Sequence, residues 1–327
     1  MKQTLRAALL ALAAAAALSP GLAPAASLTM SSEQPDSNYH AANAKAFAED
    51  VRAATGGELT LNVQTNSILL KRPEVKRGVQ QGLVPIGDVL LASMANDDPM
   101  FEIDNIPFLA PSFDKSEQLW KLSRPLIAER LDKMGLLLLY GTPWPPQGIY
   151  TKKTVEAVDD FKGARLRAVN AAVARMATLM GAVPTTVQVA EVPQAFSTNV
   201  IDMMMTSSAT GVDTAAWDYT KYYYDTQANV PFHVAIMNKR AFERLPEDQR
   251  QALLGAGMKA EARGWAMGKE QDQKFVDTLK SHGIQVMATP PKLAEQLKGI
   301  AKTLSDDWAK KADPRALEVL NEYNRGQ

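Results

Sequence analysis

Two groups of residues in the middle of the chain could do chemistry by their type and spacing. Arg165 and Arg167 alternate within Arg165-Leu166-Arg167-Ala168-Val169, a short run that reads as a strand, so both guanidinium groups fall on one face. Further on, the apolar strand Ile201-Asp202-Met203-Met204-Met205 runs into the small residues Thr206-Ser207-Ser208-Ala209-Thr210. In open α/β sheets, ligands bind beyond the carboxyl ends of strands, and this hydroxyl-rich loop occupies such an end. Guanidinium groups beside hydroxyl donors are what a carboxylate site requires.

Other chemistries lack their constellations. The three histidines, His40, His233 and His282, have no ligand-like spacing, and with no cysteine there is no thiolate site, disulfide or thiol nucleophile. No Gly-x-Ser-x-Gly elbow or phosphate-binding loop occurs, and Gly255-Ala256-Gly257 falls inside a helical pattern rather than after a strand. Asp97-Asp98 and Asp306-Asp307 are adjacent, so their side chains point apart and read as solvated charges rather than an acid/base pair. No cofactor is implied. The charge balance, 36 basic against 36 acidic residues with no basic block, gives no nucleic-acid surface.

The elements that must hold these groups follow from periodicity. Asn170 caps a helix with Val173, Met176, Ala177 and Met180 on one face, and Gly181 stops it. Before this, strands near Leu28–Met30, Leu59–Val63, Ile86–Leu91 and Leu136–Tyr140 alternate with helices, one over Arg72–Gln81 with Pro73 in its first turn. Such alternation predicts βαβ units and doubly wound sheets. Phe101–Pro111 reads as an apolar loop plugging the core. The segment 141–150, stiffened by three prolines, reads as a crossover or pocket wall carrying Trp144 and Tyr150. Val234–Met237 recrosses, and a helix from Pro246 to Ser281 follows, the alternative being two helices broken near Gly264 or Gly268. At the start, Lys2 and Arg6 precede an apolar run, Ala7–Leu18, and Ala23-Pro24-Ala25 offers a cleavage site, so residues 1–25 read as a signal peptide for export. Without cysteine, a lipid anchor through a lipobox is excluded.

The central stretch resembles the TRAP-type (DctP) family of periplasmic solute-binding proteins. Lys162-Gly163-Ala164-Arg165-Leu166-Arg167 matches that family's Lys-Gly-x-Lys-x-Arg strand, followed in order by Gly181-Ala182-x-Pro184, Ala190-Glu191-Val192 and Asn199-Val200-Ile201-Asp202. The resemblance implies a two-lobed periplasmic-binding-protein fold of the α/β class, each lobe a βα-layered sheet, with interdomain crossovers and a long spanning helix. Lobe I is expected from 26–143 and 232–270, lobe II from 144–231 and 271–327. It implies a protein free in the periplasm that captures a small carboxylate in the interlobe cleft and delivers it to integral-membrane TRAP transporter subunits. The alternatives are a binding protein of an ATP-driven importer and a secreted enzyme acting on a carboxylic acid.

In this family the arginine matching Arg167 holds the substrate carboxylate. Thr206, Ser207 and Ser208 are expected to add hydrogen bonds, although the family often has Asn where Thr206 stands. Trp144, Tyr150, Trp217 and Phe232 are candidates for the pocket wall, and His233 is a further candidate by its closeness to the cleft, the alternative being a structural role. Family members often carry a second arginine in the crossover, and none lies between Gly141 and Tyr150. With Met203-Met204-Met205 placing a thioether on either strand face, a compact monocarboxylate with an apolar body is expected rather than a sugar acid; the alternative is that the methionines only fill core.

Overall fold

The computed structural model describes residues 26–326; the expected signal peptide, residues 1–25, lies outside the described residues. The strands, in chain order, are β1 (Ala26–Ser32), β2 (Leu59–Gln64), β3 (Ile86–Leu90), β4 (Leu136–Pro143), β5 (Gln147–Thr151), β6 (Arg165–Ala168), β7 (Val183–Thr186), β8 (Met203–Ser207), β9 (Tyr222–Asp225), β10 (Phe232–Asn238) and β11 (Gln285–Ala288). They form two sheets, ordered β2-β1-β3-β10-β4 in lobe I and β11-β9-β5-β8-β6-β7 in lobe II. Each sheet is parallel except for one strand, β10 in the first and β5 in the second.

Those two exceptions share one cause. The chain leaves β4 and, after Trp144-Pro145-Pro146, enters the other sheet as β5 without turning back. It returns from β9 to β10 in the same way. The two connectors pair with each other: the Trp144 N–H donates to Pro231 O at 2.8 Å, Gln147 N–H to Asn229 O at 2.9 Å, and Ala228 N–H to Gln147 O at 3.0 Å. Two extended segments thus form a narrow double strap between the lobes.

The helix Glu247–Ser281 is the third connection, and it is unbroken. Its glycines set how closely it lies on β4 rather than where it ends. A Cβ on Gly257 would sit 2.7 Å from the Leu139 carbonyl oxygen, and one on Gly264 would sit 2.1 Å from the Thr142 methyl. Further along, Leu279 enters the core of lobe II. No described helix is long and apolar enough to cross a membrane.

Apolar periodicity accounts for the cores. Met100, Phe101, Ile103, Ile106 and Ala110 plug lobe I. Phe108, at the left-handed φ of 60°, instead packs among the residues of lobe II. The final helix, Pro314–Arg325, corrects the expected assignment of 271–327 to lobe II. Ala316, Leu320 and Tyr323 bury their faces in the lobe I core, and Arg315 pairs with both Glu129 oxygens at 2.6 and 2.7 Å. The preceding helix, Pro291–Lys311, spans both lobes, with Leu293 and Leu297 in lobe II and Trp308 in lobe I.

Candidate functional site

Arg165 and Arg167 leave β6 toward the same side but meet different surroundings. Arg165 lies at the strand's outer end and forms a two-point pair with Asp202, Nε to Oδ2 at 2.8 Å and Nη2 to Oδ1 at 2.7 Å. Arg167 is 1% exposed. Its Nε donates to Val187 O at 2.9 Å, while Nη1 has no hydrogen-bond partner. Burial pulls its pKa down to about 9, and the neighbouring Arg72 cation adds to the effect, against the opposing influence of Tyr219 and Glu33. A buried guanidinium with an unpartnered nitrogen is unfavourable unless an anion meets it.

A cavity of about 30 Å³ lies in front of Arg167, lined also by Arg72, Gln147, Trp144, Thr206 and Ser207, among others. The lining comes from both lobes and from the strap. Thr206 and Ser207 are the last residues of β8, which runs further than the expected strand and carries them to the cavity instead of leaving them in a loop. Ser207 also caps the following turn, its Oγ accepting from the Thr210 N–H at 3.2 Å. Trp144 forms a wall behind which His40 packs, at 4.3 Å between ring centres.

Several expected site residues belong elsewhere. Ser208 turns away and donates to Asp272 on the long helix at 3.0 Å. Tyr150 is buried in the lobe II core, its hydroxyl donating to Ser207 O at 3.1 Å and its ring against Tyr223. Trp217 stacks on His282 at 3.9 Å, and Phe232 sits edge-on to Trp120 within the lobe I core. His233 lies one layer behind the cavity, its Nε2 3.4 Å from Asp88 Oδ1 and Nδ1 3.9 Å from Glu33 Oε1. The reason is common to most of these: β5 and β10 are covered on both faces, so an aromatic on either face is core. Met203 and Met205 fill one lobe II cluster and Met204 another, so the run contributes no thioether to the cavity.

Arg72 is the residue that sequence reasoning passed over. It is the first residue of the helix Arg72–Gln81 in lobe I, and its Nε pairs with Glu33 Oε2 at 2.6 Å, both groups largely buried. The absence of an arginine in the crossover is therefore offset from another element. One clue was available: a cation opening a helix stands at the end where the backbone dipole disfavours it. Gln147, Leu90, Val169, Val189, Thr210 and Pro231 complete the lining and carried no signal of their own.

Contacts between the lobes flank this cavity. Asp213 of lobe II accepts from Asn38 Nδ2 at 2.6 Å and from the Ser37 hydroxyl at 3.1 Å, both in lobe I. On another side Arg175 meets Glu102 at 2.5 Å and Asn170 donates to Asn105 at 2.9 Å. The lobes are thus closed on a small, cationic, hydroxyl-lined space. Among the described residues no cluster of His, Asp or Glu could hold a metal ion.

Comparison with known proteins agrees with this architecture. The model of the DctP family, bacterial extracellular solute-binding protein family 7, matches residues 30–311. DctP7 of Bordetella pertussis, an extracytoplasmic solute receptor binding pyroglutamic acid, is 59% identical with a TM-score of 0.91, covering 92% of this chain and 100% of its own. DctP6 of the same organism, also binding pyroglutamic acid, is 38% identical with a TM-score of 0.90 over 92% and 100%. A TRAP solute-binding protein from a marine metagenome, an unidentified microbe, described as specific for pyroglutamate, is 31% identical with a TM-score of 0.91 over 93% and 100%. The chain belongs to the DctP family of extracellular solute-binding proteins, which are receptors of TRAP transport and not enzymes.

Proposed function

We propose that this receptor captures a compact cyclic monocarboxylate, pyroglutamate foremost, between its lobes. The observation that carries the reading is the buried Arg167, whose Nη1 finds no protein partner and which lines a cavity of about 30 Å³. A carboxylate there meets the Arg167 guanidinium and restores a counter-charge in a site of low dielectric. Thr206 and Ser207 donate further hydrogen bonds, Arg72 brings a second cation from lobe I, and Trp144 covers the apolar body. The apolar part of the lining, Leu90, Val169, Val189 and Pro231, favours a compact acid over a sugar acid, whose extra hydroxyls would each cost about 1–3 kcal/mol if buried unpaired. The pyroglutamate named for three relatives supports the same choice.

Residues 1–25 direct export and are removed, leaving the receptor free in the periplasm. There it hands its ligand to the integral-membrane subunits of an ion-driven TRAP transporter. Mass spectrometry of ligand released from freshly purified, denatured protein tests the solute, and pyroglutamate is the expected species. Recovery of a sugar acid alone contradicts the reading. Uptake into vesicles carrying the membrane subunits tests the partner: it should require an ion gradient and not ATP.

A further inference from the structure

We infer that Gln147 is a specificity-determining residue, its side-chain oxygen accepting the ring N–H of a lactam carboxylate; this rests on the pyroglutamate reading above. Gln147 opens β5 just after Pro145-Pro146 and is 5% exposed. Its backbone is held on both sides, donating to Asn229 O and accepting from Ala228 N–H and, at 2.9 Å, from the Thr226 hydroxyl. Its side chain is held too, because Nε2 donates to Pro145 O at 2.9 Å.

That bond fixes which end of the amide is which. A peptide carbonyl can only accept, so the amide nitrogen must face Pro145 and the oxygen must face away. No protein donor reaches Oε1, and Gln147 is one of the residues lining the cavity. The other polar side chains of that lining are guanidinium groups and the Trp144 indole, which only donate, and hydroxyls, which do either. Oε1 is thus the one side-chain atom there that can accept and cannot donate.

A ligand filling so small a space must therefore present a carboxylate to the arginines and a donor to Gln147. The ring N–H of a lactam supplies that donor. The isosteric lactone has an ether oxygen in its place, which sets one lone pair against another. A second carboxylate at that position would be repelled more strongly still. A site built around a hydrogen bond to its substrate discriminates in this way, since the analogue leaves a buried acceptor unpaired.

Titration calorimetry with L-pyroglutamate and with 5-oxotetrahydrofuran-2-carboxylate, its lactone counterpart, tests this on the wild-type protein and on Gln147→Leu. The wild type should prefer the lactam by about 10- to 100-fold. Gln147→Leu should reduce that preference to about threefold or less, by weakening the lactam and relieving the lone-pair opposition to the lactone. Gln147→Met, which keeps the chain length and removes the acceptor, should do the same and serves if the leucine variant misfolds. Equal binding of lactam and lactone by the wild type overturns the inference, as does an unchanged preference in the variants with both affinities lowered together. Failure of the wild type to bind either compound would instead overturn the pyroglutamate reading itself.

Discussion

Arg167 and Arg72 reach the same cavity from opposite lobes, yet only Arg72 has a carboxylate partner, Glu33, at 2.6 Å. Two guanidinium groups share a small space with one counter-charge, and the deficit falls on Arg167, where burial and Arg72 together lower the pKa. An anion between them would join the lobes electrostatically, so that closure and ligand capture would be a single event.

The asymmetry predicts opposite effects on the ligand-free protein. Arg72→Met leaves Glu33 buried and unpaired and should lower stability by about 3 kcal/mol. Arg167→Met removes a buried charge that has no partner and should raise the ligand-free melting temperature. Thermal unfolding of both variants without ligand checks the pair; equal losses would show that Arg167 is already neutralised within the protein.

Two glycines of the long helix should respond with opposite signs. In Gly264→Ala the new Cβ meets the Thr142 side chain at 2.1 Å, so overpacking of about 1–3 kcal/mol outweighs the gain in helix propensity. Gly255→Ala meets nothing within 4 Å and should stabilise by up to about 1 kcal/mol. Urea unfolding measures both. Stabilisation by Gly264→Ala would contradict the close packing of helix on β4.

Periodicity made the sheets, the long helix and the arginine strand legible, because each is a local pattern with one dominant apolar face. Alternation put Arg167 on a strand face, while its role as a carboxylate anchor came from the family resemblance. The Arg72–Glu33 pair was not, since it joins residues 39 apart in sequence whose meeting depends on the packing of β1 against its neighbours. Phe232 and Tyr150 misled because alternation says which residues share a face and not which face meets a cavity. Pro314–Arg325 was assigned to the wrong lobe because an apolar helix face does not say which core it joins, and Ala316, Leu320 and Tyr323 join that of lobe I.

Asp213 should act on ligand release. Its carboxylate holds Asn38 and Ser37 across the cleft, and the same Asn38 amide caps the helix Tyr39–Ala54 by accepting from the His40 N–H at 2.9 Å. Asp213→Ala leaves the residues lining the cavity unchanged and removes both of these cross-lobe bonds. Stopped-flow measurement should show dissociation faster by about 3- to 10-fold with association nearly unchanged. Unchanged dissociation would mean that these bonds do not hold the closed state.

Asp104 should impose a pH dependence on stability. Burial raises its carboxyl to about 7, despite hydrogen bonds from the Phe232 N–H and the Asn105 amide that oppose the shift. The folded state therefore keeps a proton that the unfolded chain, with a pKa near 3.8, releases. Stability contributed by this group is present at low pH and declines as pH rises through that window, levelling off above about 7. Asp104→Asn, which retains an acceptor for the Phe232 N–H, should remove that decline. Melting temperatures from pH 4.5 to 8 compare the two proteins, and parallel curves would contradict the assignment.

The central claim, that Arg167 anchors a carboxylate in the interlobe cavity, is tested most directly by titration calorimetry of pyroglutamate into wild-type and Arg167→Ala protein. The wild type should bind one equivalent. The variant should remain folded and lose about 2–5 kcal/mol of binding free energy, with Arg167→Lys recovering only part because an ammonium cannot pair bidentately. Binding by Arg167→Ala within about threefold of wild type would contradict the account.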